Sequence, residues 1–243
     1  MDLIICITIT ILLTKVLGKH IGLWDWALYS AACIFSITAT AGYVLSLQGW
    51  QLKLSTSVSA ISALFDNGTL ATAIFIVVMF GAVLPKKWDV RKKIMRIRGE
   101  LSIAAGITLL PHLVHYLIDL MVHMDRFSHL TGRAFWLYSM VILFGVYAGA
   151  IFIPLWVTSF PRVRKLMKGK RWKALQRHAY LFYAFVYAHV VLAYASHDWQ
   201  GYGVAVTAYT ILFAVYLILR FYRPVKALVF AVMRVVREGR MVS

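Results

Sequence analysis

Acidic residues are scarce in this sequence, with only nine aspartates and glutamates among 243 residues. So few carboxylates cannot by themselves keep the surface of a soluble domain of this size solvated. Hydrophobic residues make up 61% of the chain, and its mean hydropathy of +0.75 lies outside the range of soluble domains. The composition therefore indicates a multi-pass protein whose main partner is a lipid bilayer.

Cysteine and nucleotide-binding motifs are also lacking. Cys6 and Cys33 both fall within apolar stretches and form no C-x-x-C pair, which excludes a disulfide framework and a thiol redox pair. No G-x-G-x-x-G follows a strand pattern, and there is no P-loop. We therefore expect no nucleotide-binding domain here. If the protein transfers electrons, we expect the donor to be a soluble reductase, a diffusible flavin or a membrane quinol.

Apolar stretches of helical length are abundant, and they predict an all-α membrane protein with about seven transmembrane helices. They cover residues 3–17, 26–47, 70–84, 101–123, 135–158, 179–196 and 202–221. The first and third are shorter than the roughly 20 residues that a span requires. We divide the chain into an additional N-terminal helix (1–25), a six-helix core (26–223) and a basic amphipathic tail on the cytoplasmic leaflet (224–243).

Lysines and arginines are clustered, and the clusters set the expected orientation. Two loops, the end of the first helix and the tail carry 23 of the 26 cations, which leaves only Lys53, Arg126 and Arg133 for the opposite side. The positive-inside rule then places the N-terminus outside and the C-terminus in the cytoplasm of a bacterial plasma membrane. Membrane topology and anionic lipids account for the charge of +17 without nucleic acid.

Histidines stand out because a titratable group within a span is costly unless it has a partner. His112 lies fourteen residues after Arg98, or about 21 Å into its helix, and His189 lies twelve residues after Arg177, or about 18 Å. Both helices are expected to start at the cytoplasmic face. Two imidazoles at matching depth on parallel helices can reach the two faces of one porphyrin and fill both axial positions of haem iron.

Other interpretations of these histidines stay open at this level. Each one alone is compatible with a packed, hydrogen-bonded side chain, and together they are compatible with a transporter or channel that relays protons or binds a substrate. His115 shares a helix face with His112 and is expected to support the ligands or replace one of them. His123, His129 and His197 are expected near the outer face, either as an acceptor or metal site or as solvated loop residues.

Two stretches make the sequence resemble the ferric reductase-like transmembrane family. The first is RGELSIAAGITLLPHLVHYLID, with a basic start and a histidine fourteen residues on. The second is RWKALQRHAYLFYAFVYAH, which is similar to a W-x-x-L-H-R-x-x-Y run followed by a second histidine. That family includes the haem-binding membrane subunit of the bacterial methionine sulfoxide reductase system and, more distantly, the NADPH oxidases and the STEAP metalloreductases.

The resemblance implies a six-helix core that binds haem b, with His112 and His189 as axial ligands of the haem nearer the outer face. Gln176 stands where the family has its other histidine, and Arg98 stands where members with two haems carry the partner of that histidine. Both ligands of an inner haem are therefore missing, and one haem is expected. By helical periodicity His178, rather than position 176, shares a face with His189.

An inner polar cavity is the remaining expectation. We expect Arg98, Gln176, Arg177 and His178 to line it, and the resemblance to STEAP proteins implies a flavin (FMN or FAD) or a quinone headgroup as its occupant. An alternative pairs His178 with His20 as ligands. The resemblance as a whole implies transmembrane electron transfer from a cytoplasmic donor to an extracytoplasmic acceptor, with the chain acting as the membrane haem component of an oxidoreductase.

Overall fold

A computed structural model describes residues 2–17, 21–50, 56–196 and 199–239 of the chain. Within these ranges the chain forms helices joined by turns, which confirms the expected all-α class. The helices are α1 (Asp2–Leu17), α2 (Ile21–Leu47), α3 (Thr56–Asp66), α4 (Thr69–Val83), α5 (Asp89–Arg96), α6 (Arg98–Val122), α7 (Met124–His129), α8 (Gly132–Val157), α9 (Pro161–Lys165), α10 (Gly169–Arg177), α11 (Ala179–Ala195) and α12 (Trp199–Gly239).

Five helical segments in the described part of the chain are long and apolar enough to cross a membrane. They are Asp25–Leu47, Arg98–Val122, Gly132–Val157, Gly169–Ala195 and Tyr202–Tyr222. A sixth is present if α3 and α4, which meet at a bend of 57°, form one broken span. The expected number of seven is not confirmed, because α1 has 16 residues and extends about 24 Å, less than the roughly 30 Å hydrocarbon core. The sidedness of the bundle stays a prediction.

Helix α4 lies at the centre of the largest core cluster. On one side it packs against α1, whose buried face carries Cys6, Thr10 and Thr14 at a spacing of four residues. The hydroxyls of Thr10 and Thr14 donate to the carbonyls of Cys6 and Thr10, so the face is polar in composition but satisfied within its own helix. Although α1 is short for a span, its buried face packs it against the rest of the bundle.

Helix α6 is the most enclosed of the spans because neighbours approach it closely. Gly106 leaves room for the indole of Trp156 from α8, and a Cβ at this glycine would overlap that ring. The same indole donates Nε1–H to the Ile103 carbonyl at 3.1 Å. From the other side, Ser36 of α2 donates its hydroxyl to the Ile107 carbonyl at 3.0 Å. These contacts fix the rotation of α6 within the bundle.

Helix α11 lies between α8 and α12. Tyr183 is buried against Phe213 and Tyr216 of α12, with ring centroids 4.6 and 5.3 Å away. Helix α12 runs unbroken over 41 residues, or about 60 Å, so it includes the last span and continues past Pro224 into the expected tail. The position of that tail on the inner leaflet stays a prediction.

Candidate functional site

The structure brings together two of the histidines that the sequence singles out. His112 is on α6 and His189 is on α11, and their ring centroids are 6.1 Å apart with the ring planes at 89°. Both residues are partly buried among the surrounding helices. The depth match that the sequence predicts for these two residues therefore corresponds to a real juxtaposition in the fold.

His189 is held by a backbone carbonyl of the neighbouring helix α8. Its Nδ1 lies 2.8 Å from the Val141 oxygen. In an α-helix that oxygen also accepts the N–H of the residue four positions later, which is Gly145. A Cβ on Gly145 would lie 3.1 Å from both Cε1 and Nδ1 of the imidazole. The absence of a side chain at Gly145 therefore lets the ring reach a carbonyl that already belongs to a helix.

His112 is held in the same way by the bend between α3 and α4. Its Nδ1 lies 2.9 Å from the backbone oxygen of Asp66, the last residue of α3. Carbonyls in the last turn of a helix lack a partner within that helix and are free to accept. Gly68 follows with a φ of 65°, and a Cβ there would lie 3.2 Å from Cγ of His112. Here too a glycine lets an imidazole approach the backbone.

These two hydrogen bonds fix the tautomer of both rings. A carbonyl oxygen can only accept, so Nδ1 carries the proton in each imidazole and Nε2 keeps its lone pair. No hydrogen bond to either Nε2 is present in the part of the chain that the structure describes. A histidine that donates one ring N–H to a carbonyl and leaves the other nitrogen free has the arrangement of a metal ligand.

The spacing of the two rings can be compared with the one expected for two axial imidazoles on a single haem iron. Two imidazole–metal bonds of about 2.0–2.1 Å in line, plus about 1.1 Å from each nitrogen to its ring centre, would separate the centroids by roughly 6 Å. The observed value is 6.1 Å. Within the described ranges there is no group of three or more metal-binding side chains. Two histidines alone do not fill a four-ligand site, whereas a porphyrin supplies the four equatorial nitrogens itself.

His115 lies on α6, three residues after His112. The residue is 5% exposed, and its ring stacks on Tyr43 of α2 with centroids 4.2 Å apart. Its Nδ1 is 3.1 Å from Oδ1 of Asp66, the residue whose backbone carbonyl holds His112. This position beside the ligand helix suits the supporting role expected for His115, which stays a prediction.

Three phenylalanines pack together on the side of the histidine pair that is nearer the cation-rich loops, and we call them the phenylalanine layer: Phe75, Phe152 and Phe182. Their ring centroids are 5.2 to 6.0 Å apart. Each lies seven residues, or about 10 Å, along its helix from a residue of the site, namely Gly68, Gly145 and His189 respectively.

The residues expected at an inner cavity do not lie on one surface. Arg177 and His178 line a shallow open groove with Tyr180, Leu181 and Ala184. His178 is exposed, and its Nδ1 is 3.1 Å from the Leu175 carbonyl at the junction of α10 and α11.

The amide Nε2 of Gln176 is instead buried, without a hydrogen-bond partner among the described residues. Arg98 is partly buried at the start of α6. His20 lies outside the described residues, so its pairing with His178 stays a prediction, as does the cavity for a flavin or quinone.

The residues expected at the outer face are only partly placed. His123 ends α6, and its Nδ1 lies 2.8 Å from Oδ1 of Asp119 one turn earlier. His129 is exposed at the end of α7. His197 lies outside the described residues. An outer acceptor or metal site formed by these three histidines therefore stays a prediction.

Sequence reasoning missed four residues of the site: Asp66, Gly68, Val141 and Gly145. The triplet Asp66-Asn67-Gly68 is a turn signal, and it indicates a bend but not its contact with α6. Gly145 is one of several glycines in an apolar helix, and nothing local separates it from Gly149. The partners of the two histidines become visible only in the tertiary structure.

Comparisons with known proteins give a partial match to an uncharacterized protein. No protein-family model and no solved structure matches the chain. A protein of Treponema pallidum (strain Nichols), described only as uncharacterized, is 34% identical over 157 residues. The match includes 63% of this chain but 42% of that protein, so the chain spans less than half the length of this relative. The match therefore assigns neither a family nor an activity.

Proposed function

We propose that this protein carries electrons across a membrane through one b-type haem held between His112 and His189. The observation that carries the proposal is the preset pair of imidazoles, 6.1 Å apart, each with Nδ1 bound to a backbone carbonyl. When bound, the haem supplies one-electron chemistry between ferric and ferrous iron. With both axial positions filled, such a centre transfers electrons and has no open position for a substrate on the iron.

The protein's own residues position the ligands and exclude water. The Val141 and Asp66 carbonyls hold the neutral rings with Nε2 directed away from the backbone. Phe144 and Tyr147 of α8 pack against Phe185 of α11, with ring centroids 5.7 and 5.5 Å apart, and add aromatic packing between the two helices that carry Val141 and His189. Apolar surroundings are one of the means by which a protein tunes haem potential.

The single haem is supported by what lies on the inner side of the site. The phenylalanine layer lies about 10 Å along the helices from residues of the site, on the side nearer the cation-rich loops. Arg98 and Gln176 stand where the resemblance would place the ligands of a second haem. Neither a guanidinium nor an amide is among the usual axial ligands of haem iron.

The direction of transfer follows from the predicted topology. A soluble reductase, a flavin or a membrane quinol on the cytoplasmic side would deliver electrons, and an extracytoplasmic acceptor would receive them. The chain is then the membrane haem component of an oxidoreductase in a bacterial plasma membrane. The support is the concentration of cations on one side and the matching depth of the two histidines.

An absorption spectrum with a haem-to-protein ratio tests the proposal. Protein purified from haem-sufficient cells should be red, with the spectrum of a low-spin b-type haem and a ratio of about one, because a single histidine pair supplies two axial ligands. A colourless, folded protein would reject the haem carrier and favour the transporter or channel alternative. A ratio of about two would reject the single site.

A further inference from the structure

Asp66 occupies an unusual place in the fold because one residue contacts two histidines of the same helix. Its backbone oxygen is 2.9 Å from Nδ1 of His112, and its Oδ1 is 3.1 Å from Nδ1 of His115. The two histidines are three residues apart and therefore lie on neighbouring faces of α6. The end of α3 is thus fastened to α6 at two points, through the main chain and through the side chain.

The carboxylate contact is only partly enclosed, because the side chain of Asp66 is 37% exposed. His115 is 5% exposed and is covered by the ring of Tyr43. Oδ1 of Asp66 and Nε2 of His115 are buried atoms, and the 3.1 Å approach of Oδ1 to Nδ1 of His115 is a close polar contact rather than an aligned hydrogen bond. The second carboxylate oxygen, Oδ2, accepts from the Ser62 hydroxyl at 3.3 Å. Solvent therefore screens the charge of this carboxylate less than that of a fully exposed side chain.

We infer that Asp66 is a positioning residue for the haem ligand His112 and that its carboxylate helps to set the reduction potential of the haem. The inference rests on the proposed function. The carboxylate holds the end of α3 against His115, and the adjoining carbonyl thereby stays in place to orient His112. A negative charge close to the iron stabilises the ferric form and lowers the potential.

The decisive variant is Asp66→Asn, which keeps the backbone carbonyl and the side-chain volume but removes the charge. We expect it to retain haem and to titrate at a more positive midpoint potential than the wild type. The matched control is Asp89→Asn, which also removes one carboxylate. Asp89 pairs with Lys93 at 3.2 Å, and its side chain is 75% exposed. Solvent should screen that charge, so the control should titrate as the wild type does.

The outcomes separate this inference from the proposed function. A wild-type protein that binds no haem overturns both. A haem-loaded Asp66→Asn protein with the midpoint potential of the wild type or of Asp89→Asn overturns the inference and leaves the haem carrier intact. If Asp66→Asn cannot be isolated with haem, Asp66→Glu decides, because it restores the charge on a longer side chain. Haem in the glutamate variant supports the inference, and loss of haem in both variants overturns it.

Discussion

The imidazoles of His112 and His189 lie 6.1 Å apart with nearly perpendicular ring planes, and each is bound to backbone rather than to a side chain. Main-chain carbonyls of helices move less than long side chains, so the two Nε2 atoms are presented in a fixed arrangement. Such preorganisation lowers the entropic cost of haem binding, because the ligand side chains are already ordered. Five predictions follow from the contacts around this pair and from the fold that carries it.

Removal of either imidazole should abolish stable haem binding. We expect His112→Ala and His189→Ala proteins to purify without the Soret band, because one remaining axial bond does not hold haem in a bis-histidine site. His178→Ala is the control, since its exposed ring lies on a surface groove. That variant should keep the haem-to-protein ratio of the wild type. Loss of haem in His178→Ala alone would reject this ligand assignment.

Gly145→Ala should impair the site without removing any ligand. The added Cβ would lie 3.1 Å from the His189 ring and would push it from the Val141 carbonyl. We expect haem affinity to fall about 10- to 100-fold, the usual effect of losing such a supporting contact. Gly149→Ala, one turn later on the same helix, has nothing within 4 Å of its Cβ and serves as the control. If Gly145→Ala and Gly149→Ala retained haem equally in competition with apomyoglobin, the prediction would be contradicted.

Gly68→Ala tests the corresponding contact of His112. The variant incurs a left-handed backbone strain of about 1–2 kcal/mol and also places a Cβ 3.2 Å from the ring. Gly49→Ala incurs the same kind of strain, since its φ is 83°, but it has open space around its Cβ. We expect both variants to lose stability and only Gly68→Ala to lose haem. A similar haem content in the two purified proteins would show that the ring contact is unimportant.

Gly106→Ala should destabilise the contact between α6 and α8. Its Cβ would overlap the Trp156 indole, which also donates to the Ile103 carbonyl. Overpacking of this kind costs about 1–3 kcal/mol. Gly42→Ala on α2 adds the same methyl group into open space. Unfolding in increasing fractions of dodecyl sulfate, followed by circular dichroism, should show a lower midpoint for Gly106→Ala than for Gly42→Ala. Coincident midpoints would argue against this contact.

Cysteine labelling in intact cells checks the orientation of the bundle. In a background that carries Cys6→Ala and Cys33→Ala, Asp125→Cys should react with a membrane-impermeant maleimide, whereas Lys168→Cys should react only after the membrane is opened. Both positions are exposed in the structure. The reason is that Lys168 lies in a cation-rich loop, which the positive-inside rule retains in the cytoplasm. The reverse labelling pattern would invert the topology and the direction of electron transfer.

Much of the fold could be predicted from the sequence because a membrane helix is a local structure. Each expected apolar stretch overlaps a helix of the structure. The number of spans was less predictable. The 15 residues of α4 are too short to form a span alone, and they reach the length of a span only together with α3, which precedes them across a bend. Length and hydropathy alone do not show such a continuation.

The sequence by itself determined the class of the protein, the position of its helices and the matching depth of His112 and His189, because hydropathy and a rise of about 1.5 Å per residue are local properties. The tertiary structure alone decided which atoms hold those rings. The carbonyls of Asp66 and Val141 lie 46 and 48 residues from the histidines they bind. Gly68 and Gly145 are needed only because a ring from another helix occupies the space of their missing side chains, and no local pattern encodes that neighbour.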